Sequence, residues 1–550
     1  QPMKIKIIFC SLIAVCCSCV SRTDGIRGES HRPAVPVLAL KTGSPVLQLR
    51  LTRQDSTNYL LEKVEISFEG TTDINDVDSV GLFPADESGM PAFRIPLAPM
   101  QKADEKVVLH PNYRIDVDTL ICWVAVRLKD SIDLTHRIKA SCTGIRTDAG
   151  KVDITPPANE AAQRVGVALR QHMQDGVHTS RIPGLTTSKK GTLLAIYDAR
   201  RQSGRDLQGD IDIALNRSAD GGRTWSPMQV VLDMGPWGGL PEKYNGVSDA
   251  CILADDNTGD LYVFGLWMHG VLDSRTGKWV EGLTDTSTVW NHQWRSRGSG
   301  PGYGVRQTPQ LLVTKSTDDG LTWSTPENIT RQVKEAGWWL LAPAPGRGIT
   351  LADGTLVFPS EGRGETGASF STITYSKDGG KTWTTANPAY ANTNECMAAQ
   401  LSDGSIMLNM RERGNRGRLE GNGRAIAVTR DLGKTWTEHP TSRSALVEPA
   451  CMASLYRHDY TENGDKKSVL LFLNPNSKTR RNDITLKVSF DDGNTWPETY
   501  WLLLDEYDGA GYSCITSVDE KTVGVLYEGS QADMVYQQIP LNDILHPDAR

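Results

Sequence analysis

Between residues ~35 and ~155 apolar and polar side chains alternate over short runs, as in Val46-Leu47-Gln48-Leu49-Arg50-Leu51 and Val64-Glu65-Ile66-Ser67-Phe68. Successive side chains of a strand point to opposite faces, so this period predicts half-buried strands. Turn residues separate the runs (Glu69-Gly70-Thr71, Asp86-Glu87-Ser88-Gly89), as in a β-sandwich. At residues 159–173 the apolar positions change to helical spacing and predict a helix joining two zones. From ~175 short strands and glycine turns resume and continue to Pro540.

Within this second zone one pattern, Ser/Thr-x-Asp-x-Gly-x-Thr-Trp, occurs five times: at 218–225, 316–323, 376–383, 429–436 and 489–496. The aspartates are 98, 60, 53 and 60 residues apart, and a repeat of fixed period dictates architecture. Each copy has the chemistry of a hairpin turn. The Asp carboxylate is expected to cap backbone N–H groups two residues on, and Gly supplies a positive φ. Thr returns the chain to extended structure, and Trp offers a large apolar body to bury between sheets. The boxes are therefore read as structural turns. The long first gap exceeds one repeat, and its excess, residues 270–304, reads as a long loop over a site.

The repeated motif resembles the Asp-box of the sialidase superfamily, and the chain is similar to its bacterial exo-α-sialidases (neuraminidases). The resemblance implies an all-β protein, a six-bladed β-propeller preceded by a small β-sandwich. About 375 residues at roughly 60 per repeat allow six blades, of which the last carries no box. The expected divisions are 1–21, a cloning remnant and export signal; 22–155, the sandwich; and 156–550, the propeller.

Composition narrows the picture. The 550 residues carry a net charge of −7 with no basic block, which leaves no nucleic-acid footprint. After Gln1-Pro2, Lys4 and Lys6 precede an apolar run, Ile7 to Val20, too short to span a membrane. That run predicts export to the periplasm, or to the outer membrane or cell surface as a lipoprotein, or secretion. Cys16, Cys17 or Cys19 is the candidate lipid acceptor and so the route to a membrane anchor. Of the six later cysteines, buried free thiols are expected, and Cys122–Cys142 is the only pair considered for a bridge. Of fourteen tryptophans, Trp237, Trp267, Trp290 and Trp294 are candidates to line a sugar site. The histidines show no metal-ligand spacing, and no cofactor or metal is expected, with calcium left open. A monomer acting on sialylated glycans is expected.

The residues between boxes carry the resemblance to an enzyme. Sialic acid bears a carboxylate on its anomeric carbon, and arginine's planar fork matches such a group. Arg181 (Ser180-Arg181-Ile182-Pro183), Arg411 (Ile406-Met407-Leu408-Asn409-Met410-Arg411) and Arg481 (before Asn482-Asp483-Ile484) match the family's triad, with Arg480 the competing neighbour. A carboxylate nucleophile would be repelled by the substrate's own carboxylate, whereas a phenol is not. The resemblance implies Tyr512 (Gly511-Tyr512-Ser513) as nucleophile and Glu395 (Asn394-Glu395-Cys396) as the group that takes its proton. Glu361 and Glu365 are the competing candidates. Glu528 matches the carboxylate that holds the first arginine. Asp206, in the loop following Tyr197-Asp198-Ala199-Arg200, matches the general acid/base, with Asp198 and Asp210 as alternatives. Arg200 and Asp249 (Ser248-Asp249-Ala250) match positions on the O4 side of the sugar. A trans-sialidase or intramolecular trans-sialidase shares these residues. A non-catalytic sialoglycan-binding propeller would tolerate losing Asp206 or Tyr512, both present here.

Overall fold

The structure, a computed structural model, describes residues 25–549 except 208, 238–240, 272, 274, 277, 279, 281–290 and 293–298. The expected export signal with Cys16, Cys17 and Cys19, as well as Trp290 and Trp294, lies outside the described residues. So does much of the expected long loop. Among the described residues, forty strands accompany only two α-helices, Thr330–Val333 and Leu541–Leu545.

Two sheets built from residues 26–155 face each other. Leu49 and Leu51 pair with Cys122 and Leu120 in one sheet, and Val64 pairs with Leu109 and Ile145 in the other. All join one buried apolar cluster, while Arg50 between them is exposed. The alternation read from the sequence therefore becomes an inward and an outward face. Full burial of each such aliphatic side chain contributes roughly 1.5–3 kcal/mol. Cys122 and Cys142 sit in different sheets, and all six described cysteines are free thiols. The considered bridge does not form.

The rest of the described chain forms five sheets, within which six four-stranded antiparallel meanders can be traced; the first two share one nine-stranded sheet through a parallel bridge between Ile211 and Gly246. Five are consecutive in sequence; the sixth joins Ser513–Asp519, Thr522–Tyr527 and Met534–Pro540 to a strand from the far side of the chain, Gln163–Arg170. This strand replaces the expected helix at 159–173. It is buried on both faces, with Val165, Val167 and Leu169 in the N-terminal core and Ala168 against the sixth meander's core. A strand buried on both sides loses its alternation, so its apolar run mimics a helical stripe until pairing decides. Val37–Ala39 and Arg137–Ile138 also pair with it, fastening the N-terminal sheets to the sixth meander.

The five boxes are the turns between third and fourth strands. In each, the Ser or Thr hydroxyl donates to the Asp Oδ1 at 2.8–2.9 Å. The backbone N–H of the box Thr donates to the same oxygen at 2.8–2.9 Å. The capped N–H thus lies four residues past the Asp, not two. Two consecutive residues with positive φ, such as Asp319 and Gly320, reverse the chain and bring that N–H onto the carboxylate. Box tryptophans pack on the preceding meander: Trp383 against Phe264 at 5.0 Å, and Trp225 of the first meander against Tyr536 of the sixth at 5.2 Å.

Candidate active site

Antiparallel meanders separate chemistry by strand end. The boxes close third strands at one end, so the opposite end holds the starts of first strands and the ends of second strands. Arg181, Asp249 and Glu395 lie near the starts of Thr179–Thr187, Asn245–Ala254 and Thr393–Gln400. Arg200 and Arg411 lie at the ends of Leu193–Arg200 and Ile406–Glu412. Each of the three first strands breaks register at its candidate residue: between Arg181 and Gly184, Ser248 and Cys251, and Thr393 and Cys396. A bulge re-aims a side chain that regular pleating would direct elsewhere. Ile182 and Asp249 take left-handed φ of 64° and 54°, strained for non-glycine residues.

At this end is a cavity of about 630 Å³ lined by Arg181, Arg200, Asp206, Asp249, Glu395, Arg411, Arg481 and Tyr512. Its floor is the Tyr512 hydroxyl, which donates to Glu395 Oε1, while Arg411 Nη1 donates to Glu395 Oε2. Arg411 Nη1 also lies 3.1 Å from the phenolic oxygen. Burial, then the charge of Glu395, pushes the Tyr512 phenol well above its usual range, and Arg411 and Arg481 pull the other way. The phenol is neutral at rest and its proton points at a carboxylate.

Glu528 does not line the cavity but holds its wall. Its Oε1 accepts from Arg181 Nε at 2.5 Å and from the Ile182 N–H at 2.8 Å; its Oε2 accepts from the Tyr512 N–H at 3.0 Å. One buried carboxylate thus offsets the strained Ile182 turn and joins first and sixth meanders beneath the phenol. The Arg181 and Arg481 guanidinium groups lie 5.3 and 5.4 Å from the Tyr512 ring centre. Arg481 also donates to the Ala510 carbonyl at 2.8 Å, whereas Arg480 is exposed and pairs with Asp508.

Across the cavity Arg200, itself 1% exposed, donates to Asp198 at 2.9 Å and to Asp206 at 2.8 Å. Asp198 is fully buried and accepts from Ser248 Oγ and the Asp249 N–H, so it orients rather than reaches substrate. The Asp206 side chain is 61% exposed and faces the opening. Asp249 is driven well above the usual carboxylate range, by burial first and then by the charges of Asp206 and Asp198. Asp210 and Glu365 do not line the cavity, but Glu361, set beside Glu365 as a competitor in the sequence, does. Arg363, Arg413 and Arg416 line it too and were not anticipated; the run of arginines at 411, 413, 416 and 418 was the signal available. Trp267 is fully buried in the second meander, edge-on to Trp237 at 4.7 Å, and neither lines the cavity. Among the described residues no cluster of three or more His, Cys, Asp or Glu could hold a metal ion.

Known proteins extend this geometry. Residues 182–521 match a family described as a BNR repeat-like domain, and residues 29–92 match the N-terminal domain of BNR-repeat neuraminidase. A sialidase of Bacteroides fragilis is 37% identical over 99% of this chain and 100% of its own length. A sialidase of Micromonospora viridifaciens is 32% identical over 64% of this chain and 50% of its own length. The solved structure of Hadza microbial sialidase Hz136 superposes with a TM-score of 0.82 at 36% identity, covering 94% of this chain and 100% of that one. The chain therefore belongs to the BNR-repeat sialidases of bacteria, and is a glycoside hydrolase.

Proposed function

We propose that the protein is a retaining exo-α-sialidase that releases terminal sialic acid from glycoproteins, glycolipids and oligosaccharides through a covalent bond to Tyr512. The six meanders form a six-bladed propeller from about residue 156, preceded by a sandwich over 22–155, in an exported protein. The observation that carries the mechanism is the contact of the Tyr512 hydroxyl with Glu395 beneath three converging arginines.

Arg181, Arg411 and Arg481 bind the sugar carboxylate and set its anomeric carbon over the phenol. Tyr512 oxygen attacks that carbon as Glu395 takes the phenolic proton. Asp206 gives a proton to the leaving oxygen, and the aglycone departs as an alcohol. Asp206, now a carboxylate, takes a proton from water, whose oxygen attacks the same carbon. The bond to Tyr512 breaks and Glu395 returns the proton. Arg200 orients Asp206, and Asp249 meets the O4 side of the ring. Two inversions leave the α-anomer as first product.

The test is a 2,3-difluoro sialic acid, whose C3 fluorine slows turnover of the intermediate. The added mass is expected on the peptide containing Tyr512, and NMR of the first product is expected to show the α-anomer. Label on another residue, or a first-formed β-anomer, refutes the mechanism. A 2,7-anhydro sugar, or transfer to added lactose, identifies a trans-sialidase instead.

A further inference from the structure

Arg481 stands on a loop whose base is held by a buried lysine. Residues 476–483 join the strands Asp465–Pro475 and Ile484–Ser489 and bring Arg481 to the cavity. Across the mouth of this loop the Asn476 N–H donates to the Asp483 carbonyl at 2.9 Å. Lys487, fully buried in the second strand, reaches under that mouth. Its Nζ donates to Asn476 Oδ1 at 2.9 Å and to Asn474 Oδ1 at 3.4 Å. The ammonium lies 4.6 Å from the Trp501 ring centre and 5.7 Å from that of Phe472.

A buried charge is costly unless it is paired. Burial pulls the Lys487 ammonium down to about 7, and the exposed Glu498 acts against that pull. An apolar side chain of similar volume often serves stability as well as a buried ion or better, so stability does not account for a lysine here. Its partners do. Asn474 is itself buried, and its Nδ2 donates to the Val447 carbonyl at 2.8 Å. The next residue, Glu448, pairs with Arg424 at 2.6 Å, both fully buried. Glu448 also accepts from Asn415 Nδ2 and from the Glu412 N–H, each at 2.8 Å. Glu412 ends the strand that carries Arg411. Lys487 therefore ties the loop of Arg481 to a connection that is locked to the strand end of Arg411.

We propose that Lys487 is a positioning residue for Arg481: through Asn476 and Asn474 it sets the spacing between the Arg481 loop and the Arg411 strand end, so that both guanidinium groups meet one carboxylate. Lys487 does not line the cavity and acts only through these neighbours. The sugar carboxylate keeps its charge throughout the reaction. A displaced Arg481 therefore weakens substrate and transition state alike, which raises KM more than it lowers kcat. The inference rests on the triad reading above, and Arg481→Ala measured alongside keeps the two separable.

kcat and KM on α2,3-sialyllactose are measured for the unaltered protein, Lys487→Met, Asn476→Ala and Arg481→Ala, and for each of the first two variants combined with Arg481→Ala. Unfolding temperatures are taken beside them. Lys487→Met is expected to raise KM about fivefold with kcat held within about twofold and the unfolding temperature nearly unchanged. Asn476→Ala removes the same link at a partly exposed residue and should shift KM in the same direction. With Arg481 already replaced by Ala, either change should alter kcat/KM by less than about twofold, because residues acting through one another are not additive. Unaltered KM in both single variants, or the same fold loss with and without Arg481, overturns the role of Lys487. If Lys487→Met does not fold, the Asn476→Ala pair decides in its place. Unaltered kcat/KM in Arg481→Ala would instead overturn the triad reading, and this inference with it.

Discussion

The two ends of the same meanders use aspartate and glutamate in opposite ways. At the box end Asp318, Asp378 and Asp431 sit in water, and hydrogen bonds from the box Thr and Ser or Thr hydroxyls and backbone N–H groups hold them down at about 2. At the cavity end Asp249 and Glu361 are buried beside other carboxylates and pushed upward. Hydrogen bonding to the ionised form lowers a pKa; desolvation and like charge raise it. The first arrangement is self-contained and repeats unchanged. The second depends on which strands converge.

The largest expected effect strikes the cavity alone. Tyr512→Phe and Glu395→Gln should each lower kcat on natural sialosides by about 10²–10⁴, with unfolding temperature nearly unchanged. Retained turnover in either, measured with sialyllactose, would move the nucleophile or its base elsewhere. Next come the triad arginines: truncating Arg181, Arg411 or Arg481 to Ala should cost about 2–5 kcal/mol in kcat/KM. Arg480→Ala, removing an exposed charge one residue away, should cost almost nothing. Asp206→Ala should cripple alcohol-bearing substrates and spare aryl sialosides with acidic phenols in the first step. Equal losses on both would make Asp206 structural.

Box variants should show the reverse. Asp378→Ala should lower the unfolding temperature by a few degrees and leave kcat unchanged, checked by calorimetry beside an activity assay. The smallest effect is in the pH dependence. Box aspartates have lowered folded pKa values, so their contribution is present above the usual range near 4 and fades as pH falls toward 2. Glu361 is raised, so its contribution is greatest below about 4.5 and is lost as pH rises through about 8. Denaturant titrations should therefore give Glu361→Gln a flatter stability profile than the unaltered protein between pH 5 and 8. An unchanged slope would mean that Glu361 is ionised in the fold.

The same division decides what the sequence reveals. A box is legible because eight consecutive residues contain all its partners. The cavity is assembled from strand ends up to 347 positions apart, as in Arg181 and Glu528, so only resemblance to a family could associate them. Glu361 and Glu365 looked alike in the chain; only the register of Leu356–Arg363 directs one into the cavity. Arg413 and Arg416 carry no local signal beyond the run of arginines around them, because the Glu448 network beneath their loop is remote in sequence. The helix expected at 159–173 gives way to the strand Gln163–Arg170 for a related reason: partners on both faces erase the local period.

That strand also sets an order of events in folding. Gln163–Arg170 pairs with Met534–Pro540, so the sixth sheet is incomplete until nearly the last residue of the chain is made. At roughly 5–20 residues per second, the interval is on the order of tens of seconds. Through that wait an unpaired edge would invite association with other chains. Val37–Ala39 and Arg137–Ile138 are already synthesised and pair with the same strand. These two N-terminal segments therefore hold the strand in place while the sequence that will close the seam is still to come.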